Sequence, residues 1–369
     1  MSGKAVTGMQ LHLVGGFLGS GKTTAIIQAA KLLMNDGLRV GVVTNDQGKY
    51  LVDTAFVRLA DLPAVEVTGG CFCCNYNDLN QQLIQLIDEV HPDVVFAESV
   101  GSCADIVATV VRPLLSFGDE RIQPSTYSVF VDSRMLLRRV EGGSLPFSDD
   151  VVYIFDQQIK EAGLLVFNKE DLLSASGRKR LAEWAAQRQS SGPWRFQNSL
   201  SEESVKGWLE ILQEGGAALP LESLDIDYER YGRGEAHMAW LDETLALTTI
   251  PGGEGQQVVV GIIEALLAIL HRTDTGIGHL KFVVSSGDVS AKLSFTGLEE
   301  PDWRAQVPAG LGGRIQVLVN MRAETEAARL HQYLQQALVE AQKRISFAYE
   351  ETNVAFFHPG QPNPTHRLP

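Results

Sequence analysis

Gly15-Gly16-Phe17-Leu18-Gly19-Ser20-Gly21-Lys22-Thr23-Thr24 decides how the rest of the chain is read. It contains Gly16-x-x-x-x-Gly21-Lys22-Thr23, the P-loop pattern. Apolar Leu11, Leu13 and Val14 precede it and predict a buried strand. The run from Ala25 to Met34 predicts a helix that stops at Asn35-Asp36-Gly37. A strand, a glycine-rich turn and a helix N-terminus aim backbone N–H groups and partial positive charge at one point, which suits phosphate. Gly16, Gly19, Ser20, Gly21 and Thr24 would then cradle a nucleotide. Lys22 would reach its outer phosphates, and the Thr23 hydroxyl would ligate Mg²⁺. The competing reading is a flexible Gly/Ser loop before a core helix, which leaves Gly-Lys-Thr unexplained.

A chain of 369 residues can bury a large core and predicts two domains. Hydrophobic residues at 44% and charged residues at 21% are ordinary for a globular protein. The net charge of -14, with no dense Lys/Arg block, argues against nucleic acid and anionic membrane as partners. No apolar run looks long enough for a membrane span. Met1 to Gln10 has a single Lys and no apolar stretch, so it reads as a short disordered lead and not a secretory signal. Of four cysteines, three crowd into Cys71, Cys73 and Cys74. That usage predicts free thiols and a cytoplasmic location rather than a disulfide framework.

Downstream, Arg39 to Thr44 predicts a second buried strand running into Asn45-Asp46-Gln47-Gly48. Turns at strand C-ends face the ligand crevice of an open α/β sheet, so Asp46 is a candidate for Mg²⁺ or its bound water. A solvated turn carboxylate fits it equally well. Val65 to Val67 is a short strand, and Asp78 with Gln81 predicts a capped helix over 79–90. Asp93 to Ala97 predicts a strand that delivers Glu98-Ser99-Val100-Gly101. An acid ending an apolar strand after a P-loop is the Walker B arrangement. Glu98 could hold Mg²⁺ through water or orient an attacking water, and Gly101 would let backbone approach the γ-phosphate.

Strands at 127–132 and 163–167 follow, the second ending in Asn168-Lys169-Glu170-Asp171. A carboxylate at Asp171 can accept from N1–H and the exocyclic amine of guanine, whereas adenine offers no such pair. The Lys169 stem can pack on the base. Helices are expected over 178–189 and 202–213. The remaining boundaries are a P-loop domain over 1–215, a linker over 216–234, a smaller α+β domain over 235–350, and a proline-rich mobile tail over 351–369. The fold class is a P-loop doubly wound, mostly parallel α/β sheet followed by this smaller domain.

Cys71-x-Cys73-Cys74 places three thiols on one glycine-flanked turn. Soft thiolates suit Zn²⁺, Co²⁺, Ni²⁺ or Cu(I); buried apolar cysteines or a redox pair are the alternatives. Cys103 reads as a small core residue, with a fourth ligand as the other reading.

Together, Gly15–Thr24, Thr68-Gly-Gly-Cys-Phe-Cys-Cys74 with Asp78-Leu79, Glu98-Ser-Val-Gly101 and Asn168-Lys-Glu-Asp171-Leu resemble the CobW-like P-loop GTPases, metallochaperones related to the urease and hydrogenase maturation GTPases. The resemblance implies GTP and Mg²⁺ as cofactors, and Zn²⁺ or Co²⁺ at Cys71, Cys73 and Cys74. It implies GTP hydrolysis, with Lys22, Thr23, Glu98, Asn168 and Asp171 serving the nucleotide, coupled to metal delivery to a client metalloprotein or cofactor-assembly enzyme. From the residues themselves, hydrolysis is expected to be slow, with Lys22, Glu98 and Asp46 as the catalytic candidates. A homodimer is compatible with it. The chain departs from relatives in lacking a histidine-rich tract, and in Asn45-Asp46-Gln47-Gly48 where many have Asn-Glu-Phe-Gly. Other readings are a nucleotide-gated module that docks on an apo-enzyme without passing metal, and an ATP-using kinase with a structural Zn²⁺. Asn168-Lys169-x-Asp171 argues against the kinase.

Overall fold

A computed structural model describes residues 8–45, 57, 62–67, 70–188, 192–217, 219–249, 255–298 and 303–369. Two sheets organise the chain. The first has seven strands in the order β3-β2-β4-β1-β5-β6-β7, every pair parallel. These strands are β1 Met9–Gly15, β2 Val40–Asn45, β3 Ala64–Val67, β4 Val94–Glu98, β5 Ile122–Asp132, β6 Leu164–Asn168 and β7 Trp194–Phe196. Strands covered on both faces need apolar residues on both, and β2, β4 and β6 are buried along their whole length. Leu11, Leu13, Val95 and Val129 pack on one face; Val14, Val42, Phe96 and Phe130 pack on the other, where Trp208 is wholly buried.

Parallel connectivity brings the C-ends of all seven strands to one edge. Strand order departs from β1 in both directions, to β4 and to β5, so a crevice opens at the end of β1. That is where the P-loop lies.

The second sheet is antiparallel, in the order β10-β9-β11-β8-β12. Its strands are β8 Met238–Thr249, β9 Gly276–Ser286, β10 Val289–Phe295, β11 Arg314–Glu324 and β12 Phe347–Phe357. Helices Gly255–Arg272 and Ala327–Gln342 cover one face, against Ala239, Leu241, Leu245 and Leu247. The other face meets the first sheet: Met238 and Trp240 share a core with Phe17 and Leu18 of the P-loop. Contact is close enough that a Cβ added at Gly19 would stand 2.4 Å from Thr296 Cγ2.

Several sequence expectations need correction. The helix expected from Leu79 starts at Tyr76, so Asp78 sits in its first turn and Asn75 is the capping residue, without a side-chain cap. The expected linker contains a helix, Tyr228–His237, capped by Asp227. The expected domain boundary at residue 235 falls inside that helix, and β8 begins at Met238. Residues 351–357 are not tail: they complete β12, whose polar run is interrupted by an irregularity between Glu351 and Asn353. The expectation about apolar runs also changes. Gly255–Arg272 has the length and composition of a membrane span, but half of it is buried against the second sheet.

A buried ion pair braces β8 against β11. Arg322, 1% exposed, donates from Nη1 to Asp242 Oδ1 at 2.8 Å and lies 3.8 Å from the Trp240 ring centre. Removing one partner leaves a buried charge uncompensated. Arg322→Ala should therefore lower unfolding stability by about 3–5 kcal/mol, read from urea denaturation.

Candidate functional site

Gly21 stands at the start of the helix Lys22–Asn35 with φ 89°, a left-handed conformation that favours glycine. A Cβ there would also lie 2.3 Å from Asn168 Nδ2, so the P-loop and the end of β6 are in contact. Lys22 is buried and folds back over the loop, its Nζ donating to Gly16 O at 2.8 Å. Parallel pairing sets Val14 opposite Glu98, and Thr23 Oγ1 donates to Glu98 Oε1 at 2.9 Å. Two neighbouring oxygens on an octahedral Mg²⁺ lie about 3.0 Å apart, so this pair fits that ion, directly or through a bound water. The buried Ser20 and Ser99 hydroxyls have no hydrogen-bond partner among the described residues, as expected of a pocket built for a polar ligand.

Lys22, Thr23, Glu98 and Gly101 line a cavity of about 120 Å³ that the second sheet closes with Lys281 and Arg322. An adjoining cavity of about 670 Å³ is lined by Thr24, Asn168, Lys169, Asp171, Ser199 and Lys292. Gly21, Lys169 and Lys292 line both, and Asn168 ties the P-loop to Ser199. Its Nδ2 donates to Ser20 O at 2.7 Å, and its Oδ1 accepts from the Ser199 hydroxyl at 2.8 Å and the Ser199 amide at 3.1 Å. Lys169, at φ 59°, reaches Asp132 Oδ2 at 3.2 Å. Burial pushes the Asp132 carboxyl up, but hydrogen bonds from Arg134 and the charge of Lys169 outweigh it and hold it below its ordinary range.

The cysteine loop stands on the same sheet edge, after β3. Cys71 Sγ and Cys74 Sγ are 3.2 Å apart, and Cys73 Sγ and Cys74 Sγ 3.7 Å apart. Tetrahedral thiolates around Zn²⁺ would lie about 3.8 Å from one another, so the donor set fits a soft divalent ion with small adjustments. Hydrogen bonds from Cys103, then from Cys73 and Cys74, hold the Cys71 thiol well below its usual range. Cys73 is raised, first by its hydrogen bond to Cys103, and Cys74 is pushed up to about 11, first by its bond to Cys71. Cys103 is thus a neighbour of Cys71 as well as a buried residue.

Two connections run from this loop to the P-loop crevice. Asn45, at the end of β2, donates to Val67 O and Gly70 O and accepts from the Phe72 amide at 2.9 Å, and it also lines the smaller cavity. The segment after Glu98 leads through Gly101 to Cys103, and Gln158 Nε2 clamps it by donating to both carbonyls.

The P-loop residues, Glu98, Gly101, Asn168, Lys169 and Asp171 are therefore brought to adjoining cavities, with Cys71, Cys73 and Cys74 beside them. Asp46 lies outside the described residues. Sequence reasoning missed Ser199, the cations Lys281, Lys292 and Arg322, and the chain end. The alternation His279-Leu280-Lys281-Phe282 carried the signal for Lys281, since it sets cations on the face opposite the apolar core. The expected mobile tail lies against the thiols: Asn363 N donates to Cys74 Sγ at 3.3 Å, Thr365 N to Cys73 O at 2.9 Å, and Arg367 pairs with buried Asp105 at 2.7 Å.

A P-loop nucleotide-type crevice beside a thiol cluster defines the class of protein. The chain matches the CobW/HypB/UreG nucleotide-binding domain over residues 10–195, half its length, and belongs to that family of P-loop GTPases. It is 30% identical over 208 residues to a zinc chaperone CobW of Sinorhizobium sp, covering 49% of this chain and 56% of that protein. It is 26% identical over 259 residues to the zinc chaperone YeiR of Escherichia coli, covering 69% and 74%. The urease accessory protein UreG of Aliarcobacter butzleri is 32% identical over 168 residues, covering 43% and 73%. Among solved structures, HypB from Helicobacter pylori in complex with nickel gives a TM-score of 0.42 at 18% identity, covering 59% of this chain and 93% of that one. The chain spans little more than half the length of the Sinorhizobium relative.

Cys74, pushed up to about 11, and Cys73, raised above the usual thiol range, both hold their protons near neutral pH. Loading Zn²⁺ on all three should release about two protons per ion, and affinity should rise with pH because protons compete. Calorimetry in buffers of different ionisation enthalpy measures the count; no release would exclude the three-thiolate site.

Proposed function

We propose that this protein is a GTP-hydrolysing metallochaperone in which nucleotide state sets the metal affinity of the Cys71-Cys73-Cys74 loop and metal passes to a client apo-metalloprotein or cofactor-assembly enzyme. One observation carries the reading. The cysteine loop and the P-loop crevice share one sheet edge and are joined by Asn45 and by the segment from Glu98 to Cys103. The zinc-chaperone names of CobW and YeiR support the choice of Zn²⁺ as cargo, with Co²⁺ as a close substitute.

In this reading the amides of Gly16, Gly19, Ser20 and Gly21, with Thr24, hold the phosphates. Lys22 leaves the Gly16 carbonyl to bind the outer phosphates. Thr23 and Glu98 would hold Mg²⁺, whose contribution would be to neutralise charge on the phosphate oxygens. Glu98, with Asp46, orients the attacking water, and the Gly101 backbone faces the γ-phosphate. Asp171 reads the guanine edge, Lys169 packs on the ring, and Asn168 keeps base loop and P-loop in register. Thr23 and Glu98 now share a hydrogen bond, and exchanging it for contacts to Mg²⁺ and nucleotide would act on the strand end that leads to Cys103, and through it on the thiols. Such coupling is reciprocal and typically worth 5–150-fold in affinity. The acidic chain acts without nucleic acid or membrane, in the cytoplasm, alone or as a homodimer.

Lys22→Ala should lower GTP turnover by about 100-fold or more. Asp171→Asn should move preference from guanine toward xanthine, since an amide N–H can face the 2-oxo group. Equal hydrolysis of ATP and GTP by the wild type would refute the base assignment. Co²⁺ titration with and without GTP, followed by thiolate charge-transfer absorption, tests the coupling; identical affinities would overturn it. Tight client binding with no metal transfer would favour the docking-module reading.

A further inference from the structure

We propose that Glu243, His331 and Glu351 form a second divalent-metal site, built of nitrogen and oxygen donors in the helix-covered layer of the second sheet and separate from the cysteine loop. The sequence pattern of β8 singles out the first residue. Ala239, Leu241, Glu243, Leu245 and Leu247 alternate onto the face that meets the helices, and all five are 0% exposed. Four are apolar members of the core, and a carboxylate occupies the fifth place in the row.

Glu243 is not satisfied there by hydrogen bonds. Its side chain is 0% exposed, and among the described residues neither Oε1 nor Oε2 has a hydrogen-bond partner. A carboxylate in that position is costly unless a cation or several donors face it. What faces it is His331 Nε2, from the helix Ala327–Gln342, at 3.7 Å from Glu243 Oε2. The same nitrogen lies 3.6 Å from Glu351 Oε2 on β12 and likewise lacks a hydrogen-bond partner. The three donor atoms all fall within 4.8 Å of one another.

An ion pair with a protonated His331 is the simpler account, and geometry weighs against it. N–H···O bonds run to about 3.2 Å, and both separations exceed that. One Nε2–H also cannot serve two carboxylates well. Donors around a tetrahedral ion with bonds of about 2.0–2.2 Å stand about 3.3–3.6 Å apart, close to what is observed. A divalent ion would neutralise the two carboxylates together. Phe356 stacks on the His331 ring, with centroids 5.2 Å apart and planes at 15°, which holds Nε2 in the direction of the carboxylates. The irregularity of β12 between Glu351 and Asn353 supports the same aim, because it interrupts the alternation at the ligand.

His331 is 18% and Glu351 25% exposed, so an ion can enter from solvent on that side. Three protein donors leave a position for water or for an incoming ligand, the pattern of an exchanging site rather than a closed structural one. A His and two carboxylates favour Zn²⁺, Co²⁺, Mn²⁺ or Fe²⁺ over Cu(I), which prefers sulfur.

Co²⁺ titration of the full chain tests this, because the two sites differ in spectrum. One ion is expected with visible d–d bands and no thiolate charge transfer, whatever the cysteine loop does. Glu243→Leu completes the apolar row and should keep the fold, checked by circular dichroism, while weakening that ion about 100-fold or more. His331→Ala should do the same and leave thiolate absorption intact. Zn²⁺ should raise the wild-type melting temperature by a step that Glu243→Leu abolishes. Absence of the thiolate-free ion, or its persistence in both variants, would overturn the proposal. Loss of thiolate absorption alone would count against the metallochaperone reading and leave this site standing.

Discussion

The parallel register of β1 against β4 is the constraint on which the rest of the molecule depends. It sets Val14 beside Glu98 and thereby brings the hydroxyl of Thr23, the last P-loop residue, to 2.9 Å from the carboxylate. A slip of one residue would turn Glu98 to the other face of the sheet. The register is fixed because both faces of both strands are packed with apolar side chains. From Glu98 the chain continues through Gly101 to Cys103, so one strand pairing positions both the oxygen donors and the sulfur neighbourhood.

Around that edge, elements distant in sequence act as a collar. Asn45 ties the cysteine turn to β2, Gln158 clamps the segment after Glu98, and Asn168 ties the P-loop to Ser199. Most of these are amide side chains with both ends engaged. A neutral amide can donate and accept at once without the desolvation cost of a charge, which suits a buried junction. The proposed coupling between nucleotide and metal would use the Asn45 and Gln158 bonds, which lie between the crevice and the thiols.

The second sheet changes how the crevice must be viewed. Leu18 and Phe17 share a core with Met238 and Trp240, and Lys281 and Arg322 close the cavity over Lys22 and Thr23. The crevice is therefore formed between the sheets rather than by the first sheet alone. The opposite face of the same sheet carries Glu243 and Glu351, met there by His331 of the covering helix. One layer thus separates two groups of polar residues: one turned to the P-loop, the other turned to its own helices.

Local signals determined much of this. The P-loop, the apolar strands with no alternation, Glu98 and Asn168-Lys169-x-Asp171 were legible because each motif sits at the end of a strand whose period is visible over a few residues. The three clustered thiols were legible because they are adjacent in the chain. The helix Tyr228–His237, the strand Phe347–Phe357 and the docking of residues 363–367 on Cys73 and Cys74 were not. Their stability comes from contacts with partners more than seventy residues away, such as Arg230 with Asp150, Tyr231 with Ala104 and Arg367 with Asp105. Local composition, rich in glycine, proline and polar residues, pointed instead to linker and tail. Sequence alone determined which groups could meet a phosphate, a guanine and a soft metal. Only the tertiary structure decided that they meet on one edge beneath a second sheet, because that depends on which strands pair and in what register, and pairing energy is spread over contacts that no local window contains.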